Sequence, residues 1–139
     1  MKKIIFTLTL VAVFTGMVRA QNGPVMTFEK TEIDYGTVAQ GGDGVRYFKF
    51  KNTGTQPLVI KNARGSCGCT VPKWPNEAIQ PGKSGIIEVK YDTNHAGGFT
   101  KNVFVETNET QPQHTLTIKG TVTEKNTTGS TTSGSGSNR

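Results

Sequence analysis

Two residues of this 139-residue chain have both the type and the spacing to do chemistry: Cys67 and Cys69, the only cysteines, separated by Gly68. Three chemistries fit them. Oxidised together they form a disulfide in a very small ring. Extended residues two apart have Cα atoms roughly 6.5–7 Å from each other, at the outer edge of what a disulfide tolerates. Gly68 offers a turn conformation closed to other residues, which shortens that distance. Closing so short a loop constrains the unfolded chain little, so such a bridge is a weak stabiliser. Kept reduced, the two thiolates suit Cu(I), whereas a closed zinc site needs two more ligands. His95 and His114 lie far along the chain and read as ordinary surface polar residues. No metal site beyond the Cys67 and Cys69 alternative, and no cofactor, is therefore expected. In the third case the cysteines are structural thiols or cross-link a partner. Arg64 before the pair and Lys73 after it make a positive neighbourhood that favours thiolate.

Trp74, the single tryptophan, follows within Thr70-Val71-Pro72-Lys73-Trp74-Pro75-Asn76. Prolines on both sides of Lys73-Trp74 keep the stretch extended and deny it some ladder bonds. An aromatic on such a loop is a candidate anchor for a partner or glycan, with Arg64 and Lys73 beside it. It equally serves as a plug folded over the end of the domain. Dedicated disulfide exchange needs Cys-x-x-Cys on a thioredoxin-like background, which this chain lacks. No Gly-x-Ser-x-Gly nucleophile elbow and no phosphate-cradling glycine loop before a helix is present. The chain reads as a non-enzyme.

The segments that must position the cysteines alternate with period two. Val45–Lys51, Ile86–Tyr91, Asn102–Glu106 and His114–Lys119 all do so, and Thr31–Val38, Leu58–Ile60 and Val25–Phe28 are further strand candidates. Turn signals separate them, among them Gly41-Gly42-Asp43-Gly44, Asn52-Thr53-Gly54 and Gln80-Pro81-Gly82. With hydrophobic residues at 33% and 17 glycines, one small turn-rich core is possible and a large catalytic α/β fold is not. The expected fold is a single immunoglobulin-like antiparallel β-sandwich of about seven strands over residues 24–123.

At the N-terminus, Lys2 and Lys3 precede an apolar run from Ile4 to Val18, and Val18-Arg19-Ala20 offers a cleavage site. That is the pattern of a secretory signal over residues 1–20, too short to span a bilayer as a helix. No cysteine follows the run, so a lipoprotein anchor is not expected. An exported, periplasmic or secreted protein is. Removing Lys2, Lys3 and Arg19 takes Lys and Arg from 16 to 13 against ten acids, so the formal +6 falls to +3. These charges are scattered, and no nucleic-acid stripe is expected. Residues 124–139 hold no apolar side chain and read as a disordered Thr/Ser/Gly-rich tail.

Several fragments, in order, carry a resemblance: Asp34-Tyr35-Gly36-Thr37-Val38, Phe48-Lys49-Phe50-Lys51-Asn52-Thr53-Gly54 and Leu58-Val59-Ile60. Ser66-Cys67-Gly68-Cys69-Thr70, Ile79-Gln80-Pro81-Gly82 and Ile118-Lys119-Gly120-Thr121-Val122 follow them. Over about Phe28–Val122 the chain resembles the bacterial family known as domain of unknown function 1573, exported domains similar to Hydin-type sandwiches. The resemblance implies an immunoglobulin-like fold and a cell-envelope setting, and no established activity. The expected function is an exported, non-catalytic binding or scaffolding module for an envelope protein or glycan. The alternative is an envelope copper- or thiol-handling protein that uses Cys67 and Cys69.

Overall fold

The structure is a computed structural model that describes residues 22–125. The signal peptide expected over 1–20 lies outside the described residues, as does the expected tail beyond Lys125. The period-two segments form strands, and the described residues contain no helix. In chain order they are β1 (Met26–Phe28), β2 (Glu32–Ala39), β3 (Val45–Asn52), β4 (Ile60–Gly65), β5 (Thr70–Lys73), β6 (Ser84–Tyr91), β7 (Gly97–Thr107) and β8 (Gln113–Thr123). One sheet runs β1-β3-β6-β5 and the other β2-β8-β7-β4.

The expected immunoglobulin-like sandwich is thus present, with eight strands. Its pairings are antiparallel except that β2 runs parallel to β8. The additional strand is β5, in the stretch whose prolines pointed to a loop. Pro72 is tolerated because β5 lies at a sheet edge, where only one side of the strand needs ladder donors.

Alternation decides what each sheet buries. Phe48 and Phe50 of β3, and Ile87, Val89 and Tyr91 of β6, face Val103 and Val105 of β7 and Leu116, Ile118 and Val122 of β8. Burying each such side chain stabilises by about 1.5–3 kcal/mol. Lys49 and Lys51, on the other phase of β3, stay exposed.

The Asp34-Tyr35-Gly36 segment ties the two sheets together. Gly36 sits at φ +63°, a left-handed conformation that few other residues adopt, and its N–H donates to Asp34 Oδ1 at 2.8 Å. The β2–β8 register shifts at this point. Tyr35 turns inward, packs edge-on against Phe99 with centroids 5.3 Å apart, and donates its hydroxyl to Gly44 O at 3.0 Å. Burial pushes the Tyr35 hydroxyl up to about 12, against the opposing pull of the Arg46 guanidinium 4.3 Å from its ring. An unfolded tyrosine titrates near 10. Because the folded value is the higher one, this stability is present below about pH 10 and is lost as the pH rises toward 12. The gap in urea midpoint between the native protein and Tyr35→Phe is therefore expected to narrow from pH 8.5 to pH 11.5. A gap that stays constant would contradict this assignment.

Candidate functional site

Ser66–Cys69 is the crossover between the two sheets. It leaves β4, an edge of one sheet, and enters β5, an edge of the other. The two edges approach closely there: a Cβ on Gly65 would lie 2.1 Å from Thr70 O, so only glycine fits. Backbone bonds define the turn. Thr70 N–H donates to Cys67 O at 3.2 Å, Ser66 N–H to Asn102 O at 2.8 Å, and Asp92 N–H to Cys69 O at 2.8 Å. The crossover is thereby fixed to β7 on one side and to the β6–β7 turn on the other.

This geometry places Cys67 and Cys69 at disulfide distance, with Cα atoms 5.2 Å apart, inside the usual range. Gly68 does not use the left-handed conformation expected of it; ordinary backbone angles close the turn. A Cβ there would meet nothing within 4 Å, so the tip of the turn is open. Both sulfurs are half-buried, and the Thr70 hydroxyl lies 3.6 Å from Cys67 Sγ and 3.8 Å from Cys69 Sγ.

The flanking residues separate. Lys73 joins Cys69, Val71, Lys90 and Asp92 around a cleft of about 430 Å³, and its Nζ lies 3.5 Å from Glu88 Oε1. The backbone N–H of Asn94 holds the Asp92 carboxyl below its usual range, with its side chain, His95 and Lys90 adding to this, so an anion faces the cysteine turn. Arg64 stands on β4 with its guanidinium 4.7 Å from the Phe104 ring centre and is not part of that cleft. Trp74 is half-buried and packs against the core, as a plug would; Val71 is the exposed apolar side chain of this edge. Among the described residues no three His, Cys, Asp or Glu side chains gather as a metal cluster, and no helix is long and apolar enough to cross a membrane.

His114 is not the surface residue the sequence indicated. It shares the inward phase of Leu116 and Ile118, stands opposite Val105, and meets Phe28 edge-on at 5.6 Å. Its Nε2 pairs with Glu109 Oε2 at 2.6 Å. The alternation His114-Leu116-Ile118 carried that signal; Glu109, in the β7–β8 loop, carried none.

Comparison with solved structures finds the same sandwich at low identity. A protein of unknown function from Porphyromonas gingivalis W83 is 17% identical with a TM-score of 0.64, over 78% of this chain and 51% of that one. The chain thus spans about half the length of that protein. The ASH/PapD-like domain 7 of human CEP192 is 13% identical with a TM-score of 0.55, over 88% of this chain and 99% of that one. The CsuC–CsuE chaperone–tip adhesion subunit complex of Acinetobacter baumannii matches at 10% identity and a TM-score of 0.51, over 72% of this chain and 57% of that one. No functionally curated protein matches the sequence. A family model matches residues 26–122, from the first residue of β1 to the penultimate residue of β8, and includes the cysteine crossover. The chain belongs to the family described as Protein of unknown function (DUF1573).

Proposed function

We propose that this protein is an exported, non-catalytic immunoglobulin-like module that binds a protein or glycan of the bacterial envelope at the β4–β5 edge. The observation that carries the proposal is the crossover itself. Two edge strands, one from each sheet, meet at a turn whose tip is open and whose base is pinned to both β7 and the β6–β7 turn. Sheet edges offer unpaired backbone groups to an added strand. A likeness to a chain of a chaperone–adhesin complex is consistent with this use of the fold and carries no more than fold analogy. In this reading Cys67 and Cys69 form a disulfide that holds the turn's shape, favoured by an oxidising export compartment.

The reading is tested by placing a photo-crosslinking side chain at Gly68, where space is open, and a second at Thr115 on β8, two strands in from the β4 edge. Discrete adducts from residue 68 in intact cells, absent from residue 115, are expected. They should persist when Cys67→Ala and Cys69→Ala are combined. That double variant should lose no more than about 1–2 kcal/mol of stability, since the ring it opens is so small. Absence of adducts at residue 68, or loss of copper uptake or thiol exchange in the double variant, would overturn the proposal.

A further inference from the structure

The outer faces of the two sheets differ in kind. On the β2-β8-β7-β4 sheet the outward rows are mostly polar: Thr115, Thr117 and Thr121, with Glu32 paired to Lys119 at 2.6 Å, and Phe104, half-buried, lies under the Arg64 guanidinium. The large exposed hydrophobic residues, Tyr47 at 56%, Val71 at 51% and Ile86 at 47%, lie on the β1-β3-β6-β5 sheet. Register places them on its outer face. Phe48 and Ile87 are buried opposite one another, so Tyr47 and Ile86 point away from the core, and Val71 stands opposite Lys90.

The same face carries Lys49, Lys51, Lys73 and Lys90. Lys49 is directly opposite Ile86 and next in phase to Tyr47. Glu88 is paired with Lys73, while Lys49, Lys51 and Lys90 make no ion pair among the described residues. Glu29 sits at the β1 rim, where its N–H donates to Lys49 O. Four lysines against Glu88, Glu29 and Asp92, which shares the cleft of Val71, Lys73 and Lys90, leave the face at +1.

A second copy of the chain is a poor occupant, because a two-fold contact through this face would bring two net-positive surfaces together. An open sheet face has no walls to grip a peptide. It does present apolar side chains one at a time, each bordered by a long cationic side chain. That is the arrangement suited to a planar anionic surface with an apolar layer beneath it, since lysine stems lie along apolar groups while their ammonium groups stay in the polar layer. Tyrosine likewise places its ring at headgroup depth with its hydroxyl wet.

We propose that the outer face of the β1-β3-β6-β5 sheet docks on an anionic lipid bilayer, with Tyr47 and Ile86 entering the headgroup layer and Lys49, Lys51 and Lys90 facing lipid phosphates. This surface borders the Gly68 turn at the cleft that Val71, Lys73 and Lys90 line, but Tyr47, Lys49 and Ile86 lie outside that cleft, so variants at these three test the lipid proposal by itself. Each basic side chain near an anionic bilayer multiplies partitioning about five-fold at modest ionic strength.

The test is co-sedimentation of the purified protein with vesicles of equimolar phosphatidylglycerol and phosphatidylcholine, against pure phosphatidylcholine, at 50 mM and 500 mM salt. Preference for the anionic vesicles at low salt, lost at high salt, is expected. The Lys49→Glu plus Lys90→Glu variant should bind at least about twenty-five-fold more weakly, at about five-fold per lysine. The charge-matched Lys61→Glu plus Lys125→Glu variant, altered at exposed positions off this face, should stay within three-fold. Tyr47→Ser plus Ile86→Ser should weaken binding by about ten-fold if one buried aromatic and one aliphatic side chain contribute even partially. Unfolding midpoints confirm that each variant is folded. No preference for anionic vesicles, equal losses in the two charge variants, or no effect of the Tyr47 and Ile86 changes would each overturn the proposal. Capture by poly-L-glutamate without vesicle binding would overturn it in favour of an acidic protein partner.

Discussion

Asn52→Ala is expected to lower the stability of the domain by about 3–5 kcal/mol, a large effect for a residue with no part in the hydrophobic core. Its side chain is fully buried and uses its whole hydrogen-bonding capacity. Oδ1 accepts from Gly54 N–H at 3.0 Å and Val25 N–H at 3.3 Å, and Nδ2 donates to the carbonyls of Gln56 and Ile79, both at 2.8 Å. One amide therefore holds the chain before β1, the turn after β3 and the segment before β6. Alanine would leave those four backbone groups without this partner, at about 1 kcal/mol or more each. For a domain of this size that corresponds to a melting point lower by about 12 °C or more. Asn52→Asp has the same shape and separates the causes. Its second carboxylate oxygen would face two carbonyls, so it should be no better than alanine at neutral pH and should recover partly in acid, where a protonated carboxyl can donate. Urea unfolding of both variants measures this. A loss within about 1 kcal/mol for either at pH 7 would contradict the assignment.

Glu109→Ala should rank second, at about 2–4 kcal/mol. The carboxylate closes the sandwich between its sheets. Oε1 accepts from the Met26 N–H of β1 at 2.8 Å, while Oε2 accepts from the Thr107 hydroxyl at 2.8 Å and from His114 Nε2 at 2.6 Å. Hydrogen bonds to a buried charged acceptor are worth about 1.5–3 kcal/mol each, less what water restores after truncation. Glu109→Gln keeps one acceptor oxygen and can serve one side of the site, so it should lose about half as much. Amide exchange gives an independent readout. The Met26 N–H should exchange much faster in Glu109→Ala while amides at the centre of β7 and β8 follow only the global loss. Unchanged Met26 exchange would mean that β1 is held by its three-residue ladder to β3 alone.

Much of this fold was legible because alternation and turn chemistry agreed along most of the chain. Val45–Lys51 and Ile86–Tyr91 could be read as strands because Phe48 and Phe50, and Ile87, Val89 and Tyr91, fall on one phase, and that phase is the buried one, while Tyr47 and Ile86 stand on the other. β5 was obscured by Pro72, which argues against a strand unless the strand is known to be an edge, and edges are a property of the assembled sheet. The parallel β2–β8 pair was hidden for a related reason, since a strand's own sequence does not state its partner's direction. The site was half legible. The spacing of Cys67 and Cys69 made a bridge geometrically possible, and their place at the junction of two edge strands became visible only with β5 in position. Trp74 could be read as anchor or plug, and it stands half-buried against the core. The roles of Asn52 and Glu109 rest on partners from 2 to 83 residues away, and no local pattern records such pairings.

The most direct measurement is the intact mass of the protein recovered from its producing cells. It would be taken first under native conditions, and then after denaturation and thiol alkylation without reductant. An exported module with a stapled crossover predicts a chain beginning at Gln21, two hydrogens lighter than its reduced sequence mass, with no alkyl group added and no metal in the native spectrum. A chain that retains residues 1–20, or one with both cysteines alkylated and a metal's mass present only in the native spectrum, would contradict it.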